Sequence, residues 1–450
     1  MKLWDKGIPA DQRMEEFTIG KDRELDLLLA PYDILGSLAH SAMLEKIGLL
    51  SSSEGEELKR SLQELYRQSI TGELIIEQSV EDIHSQVEKM LTERLGDTGK
   101  KIHTARSRND QVLLDIHLFT RDKIADLAHL AVKLSEELLL LSEQHRKTIL
   151  PGYTHFQVAM PASFGLWFAG FAESMADDLF MLDAAFRVSN QCPLGSAAGF
   201  GTSFPIDRSF TSGLLGFGDL RYNSMHVMNT RGKMEKIAAQ AVALLASTLS
   251  RLATDICLYM GQDMGFIKFP DNMTTGSSIM PHKKNPDLFE LVRGKCNKLQ
   301  ALPVAITQVL TNLPSGYHRD FQLIKEDYLN CFEELSGCLE IMIYALPEIQ
   351  VIPPDINQEK YRYMFSVEEV NKLVIRGIPF REAYRLIAEK IENGSFMPDT
   401  KLRHTHEGSL GNLCNDKVRE KLKQRYLPIQ QAVEIYRGKT EKLLLTEIRD

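Results

Sequence analysis

Residues 100–150 contain neither glycine nor proline. A run of that length without the two residues that most readily end a helix permits one continuous helix. Over 110–146 it would extend about 55 Å at 1.5 Å per residue. Ordinary globular helices run three to four turns, so the segment points to a long helical bundle. Four more such segments follow. Residues 161–190 place Gly165 and Gly170 where helices can approach closely, and 233–260 is rich in Ala and Leu. Residues 287–312 should be kinked by Pro303, and 321–345 forms the fifth. The third is apolar on nearly all sides at 238–252, and such a helix must be covered all round. Neighbouring chains are therefore expected to supply part of the core. Shorter helices are expected at 25–49, at 54–69 behind a serine cluster, and at 80–95. After Pro353-Pro354 the pattern shortens again. The expectation is an all-α chain in three mostly helical parts, 1–105, 106–355 and 356–450.

Charge and cysteine usage narrow the function. The chain has 53 basic and 61 acidic residues, a net charge of −8, which gives no general reason to bind nucleic acid. A local basic pocket for an acidic small molecule stays open. Six cysteines (Cys192, Cys257, Cys296, Cys331, Cys338, Cys414) are scattered without paired ligand spacing. That fits reduced thiols in the cytoplasm and argues against a disulfide framework or a metal site. The opening Met-Lys-Leu-Trp-Asp-Lys-Gly has no apolar run, and no signal peptide or membrane span is expected.

The connections between the long segments mix glycine with Arg, Ser, Thr, Asn, His and Lys. Antiparallel long helices put alternate connections at the same end, so loops from different chains can converge. The most distinctive string is Gly-Ser-Ser-Ile-Met-Pro-His-Lys-Lys-Asn-Pro-Asp-Leu-Phe-Glu at 276–290. Asn285 suits a helix cap and Pro286 a first turn, with Asp287 and Glu290 facing the positive end of the dipole. Ahead of it, two hydroxyls, two lysines and a glycine suit a loop that closes over an anion. A Ser-rich connection between helices would look the same.

At 103–111, His-Thr-Ala-Arg-Ser-Arg-Asn-Asp-Gln precedes the longest helix. Arg106 and Arg108 offer planar bidentate donors for carboxylates, and Ser107 and Asn109 offer neutral ones. The string equally suits a helix start capped by Asn109 or Asp110, with the arginines in surface pairs. Pro-Gly-Tyr-Thr-His-Phe-Gln at 151–157 sets Thr154 and His155 between two helices. A histidine there suits proton transfer near neutral pH, with Glu290 a candidate partner, or is merely solvated. In 313–325, Tyr317, Gln322 and Lys325 surround a helix start, the last two as i,i+3 neighbours on one face. Asp82 and His84, in Val-Glu-Asp-Ile-His, are a weaker pair. His404 and His406 do not by themselves amount to a metal site.

Together these motifs resemble the argininosuccinate lyase and delta-crystallin branch of the fumarase/aspartase superfamily. The 276–286 string resembles the superfamily signature. Residues 104–111 apart from Ala105, 151–157, 313–325 and Gly-Ile-Pro-Phe-Arg-Glu-Ala at 377–383 resemble the branch. The likeness covers the chain from about Asp22 to the 380s.

The resemblance implies three helical domains with a central five-helix bundle, four subunits forming a 20-helix core, and active sites shared between subunits. It implies cofactor-free cleavage of argininosuccinate to arginine and fumarate, as in arginine biosynthesis. Ser277 would be the base and His155, held by Glu290, the acid, with Lys283 and Asn285 stabilising the developing anion. Ser107, Asn109 and Thr154 would bind the succinyl end, and Arg108 would also bind substrate. Tyr317, Gln322 and Lys325 would hold the arginine-derived part, with Asp82 and His84 nearby. Alternatives are another fumarate-releasing lyase such as adenylosuccinate lyase, where His282 is common, or an inactive crystallin-like homologue. Ala105 stands where most members have glycine, and 17–26 lacks the usual Asn-x-Ser pattern. His226 and Gly232 replace typical acidic residues.

Overall fold

The computed structural model describes residues 11–445. The main helices are α1 (Asp22–Lys46), α2 (Ser52–Thr71), α3 (Ile83–Leu95), α4 (Arg108–Gln144), α5 (Phe164–Ser189) and α6 (Lys233–Met260). They continue with α7 (Asp287–Leu299), α8 (Leu302–Leu310), α9 (Lys325–Ala345), α10 (Ser366–Ile375), α11 (Phe380–Glu392) and α12 (Asn415–Leu444). The long helix read from the glycine- and proline-free run is α4, and the remaining bundle segments are present as well.

The differences are local and have physical causes. The fourth segment is a break rather than a kink: α7 stops at Leu299, and Pro303 sits in the first turn of α8, where its missing N–H costs nothing. Pro161 does not start a helix. It lies in an antiparallel hairpin, β1 (Ile149–Thr154) and β2 (Gln157–Ser163), and Ser163 then caps α5. Segment 321–345 enters through a 3₁₀ turn, Arg319–Ile324, before α9.

Four apolar clusters organise the described residues, the smallest being Leu113 with Val227 and Met228. The largest joins α4 to α9 and takes in Val418, Leu422, Ile429 and Tyr436 of α12, so the last helix lies against the bundle. Edge-to-face rings tie its layers: Tyr32 to Phe119 at 5.9 Å, Phe119 to Phe332 at 5.6 Å, and Tyr328 to Phe332 at 5.3 Å. The second cluster packs α1, α2 and α3 against Leu114 and Leu118 of α4. The third is small: Val370, Ala383, Ile387 and Phe396.

Two helices, α1 and α6, do reach the length and apolar content of a membrane span, which corrects the expectation that no stretch does. The apolar stretch of α1 is 72% buried within the fold and that of α6 is 56% buried. Both therefore read as core helices. The uncovered remainder of α6 includes exposed Leu244 and Leu258, and the other bundle helices also carry exposed apolar side chains: Leu140, Phe180, Leu291 and Val304.

Candidate active site

The start of α4 fixes one wall of the site. Ser107, not Asn109 or Asp110, is its cap: the Ser107 Oγ accepts from the Asn109 N–H at 3.3 Å. Asp110 completes a capping box by accepting from the Ser107 N–H at 2.9 Å. Its other oxygen accepts from the N–H groups of Gly195 (3.1 Å) and Ala197 (2.9 Å), which pins the 195–201 loop against the helix start. Burial raises the Asp110 carboxyl to about 6 against the effect of those donors.

Around this start a cavity of about 110 Å³ is lined by Asp82, His84, Arg108, Asn109, Tyr317, Gln322 and Lys325, all named from the sequence. It is also lined by Asp22, Asp26, Glu81, Val112 and Arg319. The two arginines and the lysine there are already paired with carboxylates. Arg108 donates to Asp82 (2.8 Å) and Glu81 (3.1 Å), and Arg319 donates to Glu81 (3.0 Å). Buried Lys325 lies 2.5 Å from Asp26 and 3.2 Å from Asp22, and Gln322 also donates to Asp22. His84 meets Asp33 at 2.7 Å. Burial alone would lower Lys325, but its two carboxylates outweigh this and raise it. Asp82 has a second role, capping α3 through the Ser85 N–H at 2.8 Å. Burial would raise its carboxyl; His84, Arg108 and the Ser85 donors hold it at about 2. Arg106 turns away from the cavity and donates to Ser37 at 2.9 Å, with its Nε buried.

The rest of the expected set lies elsewhere. Thr154 ends β1, and His155 is exposed at the hairpin turn with φ 54. Helix α4 separates the turn from the cavity. Its 37 residues extend about 55 Å, whereas the 11 residues from Gln144 to His155 could return at most about 38 Å fully extended. Within one chain, His155 is thus more than about 15 Å from Arg108.

Ser277, Lys283 and Asn285 sit on a loop clasped at its base by Thr275 and Asn285. The Asn285 N–H donates to the Thr275 carbonyl at 2.8 Å, and the Thr275 N–H donates back at 3.4 Å. Asn285 therefore does not cap α7: its amide donates to Gly276 O at 3.3 Å and Thr275 Oγ1 at 3.4 Å. Thr275 Oγ1 instead donates to Asp287. The Ser277 Oγ accepts from the N–H groups of Met280 (3.2 Å) and Ile279 (3.4 Å), donors that favour negative charge on that oxygen. Lys284 pairs with Asp271, whereas exposed Lys283 has no ionic partner among the described residues. Glu290 faces Arg293 at 3.7 Å, and no contact with His155 forms within the chain among the described residues.

The departures noted in the sequence have local reasons. Ala105 adopts φ 61, the left-handed region that favours glycine, so the change from glycine carries strain. Gly232 has φ 79, and a Cβ there would lie 2.2 Å from Leu310 Cδ2. Glu235, three residues on, supplies a carboxylate, accepting from the Gly232 N–H at 2.7 Å and pairing with buried Arg231.

A family model described as Lyase matches residues 5–301. The chain is 54% identical over 423 residues to argininosuccinate lyase of Bacteroides thetaiotaomicron, covering 94% of this chain and 95% of that protein. It is 54% identical over 417 residues to argininosuccinate lyase of Parabacteroides distasonis, covering 93% and 94%. Among solved structures, an EDDS lyase variant with bound fumarate superposes with a TM-score of 0.79 over 97% of this chain and 95% of that one, at 22% identity. The last likeness speaks to the fold alone. The relatives speak to more, and by them the chain belongs to the argininosuccinate lyase family of lyases.

Proposed function

We infer that the protein catalyses the reversible elimination of argininosuccinate to arginine and fumarate. The observation that carries this is identity of 52–54% to several argininosuccinate lyases over nearly the whole of both chains. Purified protein offered argininosuccinate, adenylosuccinate, malate and aspartate should release fumarate from the first. Turnover of another substrate with none on argininosuccinate would refute the reading.

The roles proposed for individual residues follow the chemistry of each group. Ser277 takes the proton from the carbon beside a carboxylate, and the electron pair left behind spreads into that carboxylate. The two N–H groups aimed at Ser277 Oγ support this role, because they stabilise the alkoxide that such a base requires. Lys283 and Asn285 meet the developing dianion. The C–N bond then breaks, and His155, oriented by Glu290, returns a proton to the leaving nitrogen. Ser107, Asn109 and Thr154 hold the succinyl end, and Tyr317, Gln322 and Lys325 the arginine-derived end.

We propose that these groups come together only in an oligomer, a homotetramer with shared sites. The separation of His155 from Arg108 supports it, as do the exposed apolar side chains on the bundle helices. So does the cavity itself: about 110 Å³ is well short of the ~300–1,000 Å³ usual for a small-molecule site. The six cysteines are all free, which supports a reducing compartment, the cytoplasm.

A further inference from the structure

Behind the cavity wall lies a buried group of side chains that the proposed chemistry leaves unused. Asp33 on α1 and Asp115 on α4 both stand against His84 in the first turn of α3. His84 Nδ1 is 2.7 Å from Asp33 Oδ1 and 3.7 Å from Asp115 Oδ2, and the three side chains are 6%, 2% and 1% exposed. Gln111 adds a donor to Asp33 Oδ1 at 3.4 Å. The remaining oxygens, Asp33 Oδ2 and both of Asp115, have no hydrogen-bond donor among the described residues. Two carboxyl groups are therefore buried here with far fewer donors than they can accept from, an arrangement that nearby positive charge, or a proton on one of them, must compensate. His84 lines the cavity, and its Nε2 has no protein partner among the described residues.

We propose that Asp33 and Asp115 are positioning residues that hold His84 as an imidazolium, with Nδ1–H given to Asp33 and Nε2–H presented to a carboxylate of the substrate. The identity of that substrate rests on the argininosuccinate reading; the state of the ring does not.

The charges around the ring come from every element packed on it. Asp33 and Asp26 lie on α1, Asp115 on α4, and Asp82 at the start of α3; His103 and Arg106 approach from the segment ahead of α4, and Arg108 from its first residue. Burial by itself would strip the proton from the ring. Asp33, Asp115 and Asp82 together outweigh it and hold His84 at about 10. Burial first, and then the neighbouring Asp33 carboxylate, push Asp115 well up. A proton is a better occupant of this cluster than a metal ion, because the Arg106 guanidinium already acts on Asp33 and Asp115. The consequence is an anion-binding cation that does not titrate across the working range. This offsets the surplus of carboxylates lining the cavity.

The test is the pH dependence of kcat/KM for argininosuccinate in Asp33→Asn against the parent protein. Without Asp33 the ring loses its principal partner and deprotonates at lower pH. The variant-to-parent ratio should then fall by about tenfold or more between pH 6.5 and 9, since each pH unit above a pKa removes about nine-tenths of the protonated form. Asp115→Asn should move the same way by less. A purely structural role would depress activity by one factor at every pH, and a flat ratio overturns the proposal. A second measurement does not depend on a variant at Asp33 folding. In the full-length protein with ring-labelled histidine, the His84 resonance, assigned by comparison with His84→Asn, should be that of an imidazolium at pH 8. A neutral ring there refutes the proposal. Failure of the parent protein to turn over argininosuccinate would count against the reaction instead, and the ring measurement would still decide this point.

Discussion

Lys325→Met tests the charge arrangement at the cavity most directly. Lys325 is 5% exposed and bridges Asp26 at 2.5 Å and Asp22 at 3.2 Å. Methionine fills similar volume but leaves two buried carboxylates facing each other. Breaking one side of a buried pair costs about 3–5 kcal/mol. Asp26 retains a donor in the Ile83 N–H at 3.3 Å and Asp22 retains Gln322, which argues for the lower end, about 3 kcal/mol. The pH dependence has a definite sign. In the parent, Lys325 is raised above its ordinary value, so its stabilisation is fully present below about 10.5 and is lost only as pH rises through the folded value. Between pH 5 and 8 it is constant. Asp22 is raised, first by burial, and Lys325 is the main influence lowering it. Removing the ammonium raises Asp22 further. A carboxyl raised on folding destabilises most above its folded pKa and not at all below its unfolded one. The variant should therefore be less penalised at pH 5 than at pH 8. Urea unfolding of both proteins at the two pH values measures this. The triple variant Asp22→Asn/Asp26→Asn/Lys325→Met should recover most of the loss. A penalty under about 1 kcal/mol at pH 8, or one that does not shrink at pH 5, would refute the reasoning.

Ser277→Ala should lower turnover by about 10²–10⁴-fold, the usual worth of a general base, while sedimentation shows the oligomer unchanged. A near-normal rate would remove the serine from that role. Mixing subunits carrying Ser277→Ala with subunits carrying Lys325→Met and letting them re-associate should restore part of the fumarate production that neither shows alone; no recovery in any such mixture would count against shared sites. Ala105→Gly should stabilise the fold by about 1 kcal/mol by relieving the φ 61 backbone, seen as a higher unfolding midpoint, and an unchanged or lower midpoint would show the turn is not strained.

The helices are legible in the sequence because their signals are local and repeated. The absence of glycine and proline at 100–150 alone is enough to anticipate α4. The hairpin at 149–163 is not legible: its strands are short, Pro151 and Pro161 sit opposite each other, and Gly152 marks an irregular register. Period-two alternation has little room to appear there. Caps mislead for a related reason. Asn285 and Asn109 are good caps in isolation, but the side chain of the first is drawn to the strand-like clasp with Thr275, and at the second site Ser107, two residues earlier, takes the position. Of the cavity, the sequence yields the donors and hides the acceptors. Asp22 and Asp26 stand as an i,i+4 pair on α1, yet nothing local to the sequence says that α1 faces Lys325 across some 300 residues.

That asymmetry bears on how an acidic substrate can be held. Counted within one chain, the arginines and lysine of the cavity offer little net attraction to an anion beyond what His84 supplies, since Arg108, Arg319 and Lys325 each already have a carboxylate within 3.2 Å. Shape and hydrogen bonding survive that pairing; long-range attraction does not. Lys283, by contrast, has no ionic partner among the described residues, and it sits on a clasped loop whose exposed tip carries Ile279 and Met280. A loop of this kind gains most by closing over a charge that nothing else has neutralised, because exclusion of water then strengthens each contact it makes. The proposed division follows: the cavity at the start of α4 recognises the substrate's outline, and the 276–285 loop supplies the positive charge where negative charge develops. Recognition and charge stabilisation then reside on different segments. A Lys283→Met variant should bind substrate much as the parent does and lose its rate in kcat, whereas a loss confined to KM would place the lysine in ground-state binding instead.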